Sequence, residues 1–372
     1  MANTTTGILK CVNKRQFAVR AADRAYRPGR AELMVHPDLT NRFDLTEGAS
    51  VTGHVERKKR VPRLVSIETI GGMQPEAFCK RPRFTDLVAV DPHERFDLGD
   101  CGQESMRIVD LIAPIGKGTR QLIVSPPKAG KTILLEHTVQ AIRNCSPQSR
   151  VIVLLVDERP EEVTHFRRAV EGAEVVASTS DHSADEHVEL AELMLAHVQT
   201  ELECGREVVL LIDSLTRMGR AFNSKTRRRG VQRRHTMTGG LEAGVLEVPR
   251  RLFGLARNIE NGGSVTIIAT CLIDTGSRMD QLIFEEFKGT GNSEIVLDRS
   301  LAEARIFPAI NIPASGTRKE TKLYSDAHSQ GLATLRRVLS SYGTREAMEA
   351  LFKLLKKYPD NRQFLESMSS GG

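Results

Sequence analysis

The segment SPPKAGKT has residue types that could bind a nucleotide phosphate. It ends in Gly130, Lys131 and Thr132, as does the pattern G-x-x-x-x-G-K-[ST]. In that pattern main-chain N–H groups surround the phosphates, the lysine meets the β and γ oxygens, and the hydroxyl holds Mg²⁺. Ser125 replaces the first glycine, and Lys128 adds a second cation. The segment therefore predicts a phosphate-binding loop with an altered first turn.

Two consecutive prolines, Pro126 and Pro127, enter this loop. Proline fixes φ near about −65° and has no N–H to donate. Because the later amides stay free to donate, we expect a stiff, preorganised loop. The alternative is a chance AGKT at a strand–helix junction. The apolar run QLIV before the loop and the helical pattern ILLEHTVQAI after it favour the phosphate loop.

Carboxylates follow two buried-looking strands further along the chain. VIVLLV is followed by Asp157, Glu158 and Arg159, and VVLLI is followed by Asp213. Open α/β sheets bind ligands at the carboxyl ends of their strands. A glutamate there can polarise an attacking water, and an aspartate can hold magnesium through its water shell. Either acid alone could cap a helix or lie in a surface turn, but both, in order after a phosphate loop, favour ATP hydrolysis.

Three arginines are candidates for the cation that phosphoryl transfer needs, because a guanidinium can neutralise charge developing on the γ-phosphate. Arg217 and Arg220 lie one helical turn apart after the second acidic strand end. Arg318 lies in the turn-like segment SGTRKE. The sequence leaves open which of the three reaches the nucleotide.

Composition bounds the class of protein. The 372 residues, 40% hydrophobic and 27% charged, are typical of a soluble chain with room for two domains. No apolar run could span a bilayer and the start lacks an export signal, so we expect a cytoplasmic protein without a membrane partner. The six cysteines and ten histidines show no metal-binding or disulfide spacing. The net charge of +6 weakly favours a polyanionic partner.

The chain divides by pattern into two domains. Five β-type runs, ILKCV, FAVRAA, AELMV, SVTGHV and RLVSIETI, predict a small barrel of the oligonucleotide-binding type over residues 1–72. The polar, turn-rich residues 73–105 predict a linker. In residues 106–372 buried strands alternate with helical stretches, which predicts an α/β domain with a mainly parallel sheet and a terminal amphipathic helix.

These residues resemble a known family, the Rho transcription termination factors, which are ring-shaped RNA-dependent ATPases. The resemblance implies a RecA-like P-loop domain preceded by an OB/cold-shock-like barrel. The family usually has a small helical domain before the barrel, for which almost no residues precede Gly7. A rotary ATPase subunit would share the core but not the segments on which the likeness rests, which include VDLIAPIGKGTRQLIVSPPKAGKT, LLVDERPEEVTHFRR, LLIDSLTRMGRAFN, RRLFGLARNIENGGSVTIIATCLIDTGSRMD, EEFKGTGN, ARIFPAI and SGTRKE.

The resemblance implies ATP and Mg²⁺ as cofactors. Glu158 matches the catalytic glutamate and Arg159 the arginine beside it. Thr132 and Asp213 match the magnesium-side residues. The nucleotide-binding loop corresponds to Lys128, Ala129, Gly130, Lys131, Thr132 and Ile133.

The resemblance also implies that each active site lies between two subunits of a homohexamer. Arg318 looks like the arginine finger that enters the neighbouring subunit's site, and Arg305 like a second arginine of that interface. Phe307 resembles the residue that packs on the adenine ring. Lys288, with Gly289 and Thr290, matches a loop that grips single-stranded RNA in the central channel. In this family the ring pulls RNA and dissociates the RNA polymerase elongation complex.

The barrel departs from the family pattern. Family members read pyrimidine-rich RNA with aromatic platforms, since stacking is worth about 1 to 3 kcal/mol per base. Here Gln16, Ala18 and Met34, and by a looser match Val61, stand at the usual aromatic positions. Arg20 remains as a predicted RNA contact. Whether the barrel still binds pyrimidine-rich RNA stays open.

A second departure is the long basic segment NSKTRRRGVQRRHTMTGG, at the position of the family's other channel loop. Such a charge run is often only a solvated surface. Because of its position we expect contacts to RNA phosphates, with Arg228, Arg233 and Arg234 among them. Our hypothesis is that electrostatic contacts to the RNA backbone partly replace base stacking. The basic run ERKKRVPR, residues 56–63, could equally contact RNA or protect an edge strand.

Two other classes of protein remain as alternatives. A non-catalytic RNA-binding ring would use nucleotide only for assembly, and Glu158 and Arg318 disfavour it. A secretion or rotary-motor ATPase would act on a protein substrate, and the segment EFKGTGN disfavours that. The sequence therefore favours an RNA-dependent ATPase.

Overall fold

A computed structural model of the chain describes residues 3–13, 16–29, 31–58, 61–228, 236–237 and 239–370. In these ranges no helix is both long enough and apolar enough to cross a membrane.

The first domain is a closed five-stranded barrel with strand order β1-β2-β3-β5-β4. The pairing of β3 with β5 is parallel, and the other pairings are antiparallel. Its elements are β1 (Asn3–Asn13), β2 (Gln16–Arg20), β3 (Leu33–Val35), helix α1 (Pro37–Arg42), β4 (Ser50–Lys58) and β5 (Val61–Ile70). The five predicted runs supply the five strands, and the prediction of a small all-β barrel is confirmed.

The segment predicted as a linker is folded against both domains. It contains helix α2 (Pro75–Phe78) and strand β6 (Ala89–Val90). The Phe78 side chain is fully buried in the barrel core, whereas Phe96 and Leu98 belong to the core of the second domain. The few apolar residues lack any period, so the sequence showed only a polar connection. Their burial makes this segment part of the structure that holds the two domains together.

The second domain is built on a large, mainly parallel sheet. Among the described residues it has nine strands, in the order β16-β15-β7-β14-β10-β8-β9, with β13 beside β14 and β6 beside β13. A separate pair, β11 (Thr236–Met237) and β12 (Leu241–Glu242), stands apart. The strands of the large sheet after β6 are β7 (Arg120–Ser125), β8 (Arg150–Glu158), β9 (Glu174–Thr179), β10 (Glu207–Asp213), β13 (Arg257–Ile259), β14 (Ser264–Leu272), β15 (Ser293–Val296) and β16 (Gly316–Thr317).

Helices cover both faces of this sheet, and an apolar core lies on each side. The central strands β8, β10 and β14 are buried along nearly their whole length, which explains their unbroken apolar sequences. The helices are α3 (Glu104–Ile112), α4 (Lys131–Cys145), α5 (Pro160–Ala169), α6 (Ala184–Glu203), α7 (Leu215–Arg228), α8 (Glu247–Gly254), α9 (Arg278–Lys288), α10 (Arg299–Glu303), α11 (Asp326–Leu339), α12 (Thr344–Leu355) and α13 (Asn361–Ser370). The predicted α/β fold with a mainly parallel sheet is confirmed.

Helix α6 forms the seam between the two domains. It begins with a capping box, in which Ser183 and Glu186 satisfy each other's main-chain N–H groups. Further along, the His197 side chain bonds the Gly48 carbonyl of the barrel at 2.6 Å, and Ser50 donates to Glu201 at 2.9 Å. These bonds are buried or partly buried, so they fix the barrel on the second domain.

A buried ion pair, Arg81 with Glu203, joins the connecting segment to the end of α6. The Arg81 Nε and Glu203 Oε2 atoms are 2.9 Å apart, and the two side chains are 1% and 7% exposed. Glu203 also accepts a bond from the Phe84 N–H at 3.1 Å, and the Arg81 guanidinium stacks on the Phe78 ring. The pair is thus the electrostatic centre of this contact.

We expect Glu203→Ala to lower the free energy of unfolding by about 3 to 5 kcal/mol, because Arg81 would keep a buried charge without its partner. Urea unfolding followed by circular dichroism measures the change. The matched control is Glu349→Ala, which breaks the exposed Arg345–Glu349 pair on α12 and should leave the free energy of unfolding nearly unchanged. Equal losses in the two variants would contradict the assignment.

Candidate nucleotide and RNA sites

The predicted phosphate loop joins β7 to α4. Ser125 ends the strand and Lys131 begins the helix. Lys128 and Gly130 have φ values of 65° and 87°, in the left-handed region. A Cβ atom on Gly130 would also lie 3.2 Å from the Phe307 ring, so this position needs glycine for two reasons. The loop therefore leads directly into a helix N-terminus, whose first N–H groups are available to an anion.

An apolar cavity of about 290 Å³ lies beside the loop. Two large apolar side chains at its rim are unusually exposed, Ile133 at 56% and Phe307 at 44%. Gly130, His137 and Pro308 complete the wall. A planar base could fill this space against Phe307, since aromatic and apolar side chains line most sites of this kind. The structure thus brings the predicted adenine residue next to the phosphate loop.

The lysine of the loop is held by an acid at the end of β10. The Lys131 ammonium forms an ion pair with Asp213 Oδ1. The same oxygen accepts a bond from the Thr270 hydroxyl at 2.8 Å, and Asp213 is buried. Thr270 was not singled out in the sequence, where a threonine inside a buried strand gives no signal of its role. Together these contacts fix the carboxylate facing the loop.

Glu158, at the end of β8, lies in the same site with an incomplete set of partners. Its Oε1 atom accepts bonds from Arg217 Nη2 at 2.8 Å and from the Arg159 N–H at 3.2 Å. Its Oε2 atom is buried and has no hydrogen-bond partner among the described residues. Burial and the negative charge of Asp213 raise the pKa of Glu158 to about 7, against the lowering effect of Arg217 and Lys131. The carboxylate is poised to bind a further polar group.

The residues present fit a magnesium ion. Mg²⁺ is usually held by one or two carboxylates, a hydroxyl, waters and the substrate phosphates. Asp213 and the half-buried Thr132 supply the carboxylate and the hydroxyl, and Glu158 Oε2 is free to receive a bound water. The described residues contain no group of three or more His, Cys, Asp or Glu side chains that could hold a metal by themselves. Such an ion would therefore depend on the nucleotide for its remaining ligands.

The structure separates the candidate arginines. Arg217 contacts both Glu158 and the Asp157 carbonyl, so it belongs to the site. Arg220 is instead paired with Asp280 of α9, with Nε and Oδ1 2.8 Å apart. Arg159 and Arg305 are exposed at the surface near the loop's side of the sheet.

Arg318 lies where strands β7 and β15 begin, at the opposite end of these strands from the phosphate loop. It follows β16, and its N–H donates to the Asn292 carbonyl at 2.8 Å. Asn292 in turn bonds Arg120, the first residue of β7, whereas the loop follows the last residue of that strand. The length of β7 separates the two by roughly 17 Å. Arg318 therefore faces away from the nucleotide site of its own chain.

Lys288 lies in the same region as Arg318. It ends α9, is exposed, and with Arg318 lines a cleft of about 400 Å³. Gly289 follows it, and the Thr290 carbonyl accepts a bond from Arg120 Nε at 2.9 Å. The predicted channel loop and the predicted finger are thus neighbours, which the sequence did not reveal.

The Arg20 side chain is engaged within the protein, and its role as an RNA contact stays a prediction. Its side chain is 9% exposed and forms ion pairs with Glu32 at 3.2 Å and with Glu189 of α6 at 2.7 Å. Both carboxylates compete with any phosphate for the guanidinium, so Arg20 serves the domain seam in this arrangement. At two of the usual aromatic positions, Gln16 is exposed and Ala18 is fully buried.

Several predicted RNA contacts cannot be placed. Arg228 is the last residue of α7, and its side chain lies outside the described part. Arg233 and Arg234 lie outside the described residues, as does the side chain of Val61. For the basic loop the sequence hypothesis therefore stays a prediction.

The nucleotide-binding half of the chain matches a known protein family. Residues 105–317 match the ATP synthase alpha/beta family, nucleotide-binding domain. A solved structure of an ATPase from the type III secretion system of pathogenic bacteria superposes with a TM-score of 0.64, over 85% of this chain and 93% of that one. At 23% identity this second similarity shows the fold alone.

Relatives that match nearly the whole chain carry one name, transcription termination factor Rho. The protein of Cereibacter sphaeroides is 44% identical over 98% of this chain and 87% of its own. That of Aquifex aeolicus is 44% identical over 98% and 84%, and that of Pseudomonas aeruginosa 43% over 97% and 87%. The resemblance seen in the sequence is confirmed. The chain belongs to the family of transcription termination factor Rho.

Proposed function

We propose that this P-loop ATPase moves along single-stranded RNA as a homohexameric ring and terminates transcription by acting on the RNA polymerase elongation complex in the cytoplasm. One observation carries the proposal. The chain has a phosphate loop with a buried acid beside it, one oxygen of which has no hydrogen-bond partner among the described residues, yet its best candidate finger lies at the far end of the strands. A second copy of the chain would complete the site.

In this proposal the residues divide the reaction among them. Lys131 leaves Asp213 to meet the γ-phosphate when ATP binds, because it is the lysine of the phosphate loop. The free oxygen of Glu158 accepts a hydrogen bond from a water molecule and orients that water for attack. Arg217 holds Glu158 in place. Thr132 and Asp213 would hold magnesium, which would neutralise charge on the phosphates.

The loop residues Lys128 and Ala129 would contact phosphate, and Ile133 with Phe307 would enclose the base. Arg305 and Arg159 would act from the surface between subunits. Lys288, with Gly289 and Thr290, would bind RNA next to Arg318. RNA binding would therefore alter the surroundings of the finger. The secretion ATPase that shares the fold shows that the fold by itself does not select the substrate.

Transcription with purified RNA polymerase tests the proposed activity. With ATP present, the wild-type protein should release shortened transcripts, because translocation along the nascent RNA would reach the polymerase. Glu158→Gln keeps the shape of the side chain but cannot accept a proton, so it should bind ATP and RNA normally and release none. Equal shortening with both proteins would contradict the proposal.

Mixing two inactive variants tests the shared site. Arg318→Ala removes the finger and leaves the subunit's own acid, whereas Glu158→Gln does the reverse. In mixed rings some interfaces combine an intact Glu158 with an intact Arg318 from the neighbour, so RNA-stimulated ATP hydrolysis should reappear. The matched control mixes Arg318→Ala with the double variant Glu158→Gln/Arg318→Ala and should stay inactive. No recovery in the first mixture would place both residues in one subunit's site.

The pKa of Glu158 predicts the acid side of the pH–rate profile. The carboxylate must be ionised to orient the water. At limiting ATP, the rate of ATP hydrolysis should therefore rise with pH, with a midpoint at pH of about 7. Arg217→Met removes a positive charge that lowers this pKa, so the midpoint should move to higher pH. Arg345→Met, on the exposed face of α12, is the charge-matched control. An unmoved midpoint in Arg217→Met would contradict the role of this ion pair.

A further inference from the structure

One cavity of the barrel is lined by arginines, two of which also contact the second domain. This cavity, of about 640 Å³, has Arg20, Arg24 and Arg27 in its wall. Arg20 is paired with Glu189 of α6, and the Arg27 guanidinium contacts His182, just before α6. Two of the three arginines in the wall of this cavity are therefore engaged by the ATPase domain.

His182 is bonded on its other side to the end of β9. Its Nδ1 atom lies 2.8 Å from the Thr179 main-chain nitrogen and 3.0 Å from the Thr179 hydroxyl. Its Nε2 atom faces Arg27. Both the Thr179 N–H and the guanidinium can only donate, and a neutral imidazole has a single acceptor nitrogen. Arg27 and the Thr179 N–H therefore compete for His182.

The two outcomes of this competition differ in which group of Thr179, at the turn that follows β9, bonds the His182 ring. When Nε2 accepts from Arg27, Nδ1 carries the proton and can bond only the Thr179 hydroxyl. When Arg27 leaves, the proton moves to Nε2, and Nδ1 accepts the Thr179 N–H. The main-chain bond from the His182 N–H to the Thr179 carbonyl, at 2.9 Å, closes the turn that follows β9. The second arrangement adds the imidazole as an acceptor for the Thr179 N–H, and the first removes that acceptor.

This turn is attached directly to the candidate catalytic acid. Thr179 is the register partner of Glu158 across β8 and β9, and the Ser180 N–H donates to the Glu158 carbonyl at 3.0 Å. The adjoining Asp157 has φ of 55°, and its carboxylate lies 3.6 Å from His187 of α6. The main chain that carries Glu158 is therefore positioned by the same segment that His182 holds.

We propose that His182 is a positioning residue that links the occupancy of the barrel to the placement of Glu158. A phosphate of single-stranded RNA in the barrel cavity draws Arg27 away from His182, which then caps the Thr179 N–H and fixes the turn beside Glu158. The inference rests on the proposed RNA-dependent ATPase and adds a path by which the barrel regulates it. It gives the barrel a function that does not depend on aromatic platforms.

The two partners of this contact predict opposite changes in ATP turnover. Arg27→Met frees His182, so turnover without RNA should rise by roughly fivefold, the low end of typical coupling between sites. His182→Leu removes the cap, so turnover with a saturating single-stranded pyrimidine oligoribonucleotide should fall by roughly fivefold. The double variant should behave as His182→Leu, because Arg27 acts only through the histidine. Arg345→Met is the charge-matched control and should match the wild type.

The outcomes separate this inference from the function on which it rests. Wild-type turnover that RNA does not change would overturn the proposed function itself. RNA-stimulated wild-type turnover combined with an unchanged RNA-free rate in Arg27→Met would overturn only the role of His182. A double variant that keeps the raised rate of Arg27→Met would do the same, since Arg27 would then act by another route.

Hydrogen exchange gives a readout that does not depend on the folding of His182→Leu. In the wild type, the oligoribonucleotide should slow amide exchange in a peptide covering residues 174–183, because the Thr179 N–H gains its acceptor. In Arg27→Met that exchange should be slow already without RNA. RNA that binds the wild type and leaves this peptide unchanged would overturn the inference.

Discussion

The repulsion between two buried carboxylates, Glu158 and Asp213, is the constraint around which the nucleotide site is arranged. The acids end neighbouring strands of a parallel sheet, so the fold itself brings them together. Each has its own cation, Arg217 for Glu158 and Lys131 for Asp213. Burial, together with the charge of Asp213, raises the pKa of Glu158, and one of its oxygens has no partner in the described part of the chain. A magnesium ion would supply the missing positive charge, and a polyphosphate would pair with Lys131, so the site fits these two ligands together.

The same sheet explains why a single chain does not complete the site. Parallel strands place every phosphate-binding group at their carboxyl ends, whereas Arg318 is attached where β15 begins and β16 ends. In the proposed function Arg318 serves the site of another molecule, and assembly is then a requirement of catalysis. Lys288, the residue proposed to bind RNA, lines the same cleft as Arg318.

The barrel is held by the second domain along helix α6. Arg20, Arg27 and Ser50 of the barrel all use their polar groups on residues of this helix or the turn before it. The cationic groups of the barrel cavity are consequently shared between a ligand and the domain seam. This sharing is costly for binding, because a ligand must displace protein carboxylates or an imidazole. It also means that a ligand bound in the barrel would change side-chain contacts with the ATPase domain.

The sequence by itself determined the elements and the chemistry. Unbroken apolar strands, a glycine–lysine–threonine loop and acids at strand ends follow from local rules, so the fold class and the residues of the nucleotide site could be predicted. Tertiary structure decided which groups meet. Arg220 pairs with Asp280, and Thr270 bonds Asp213, although these residues are far apart in the chain. In the same way, the fold buries Arg20 and places Arg318 far from the phosphate loop. No local pattern encodes such contacts, because they depend on how strands are ordered in the sheet and on which helix packs against the barrel.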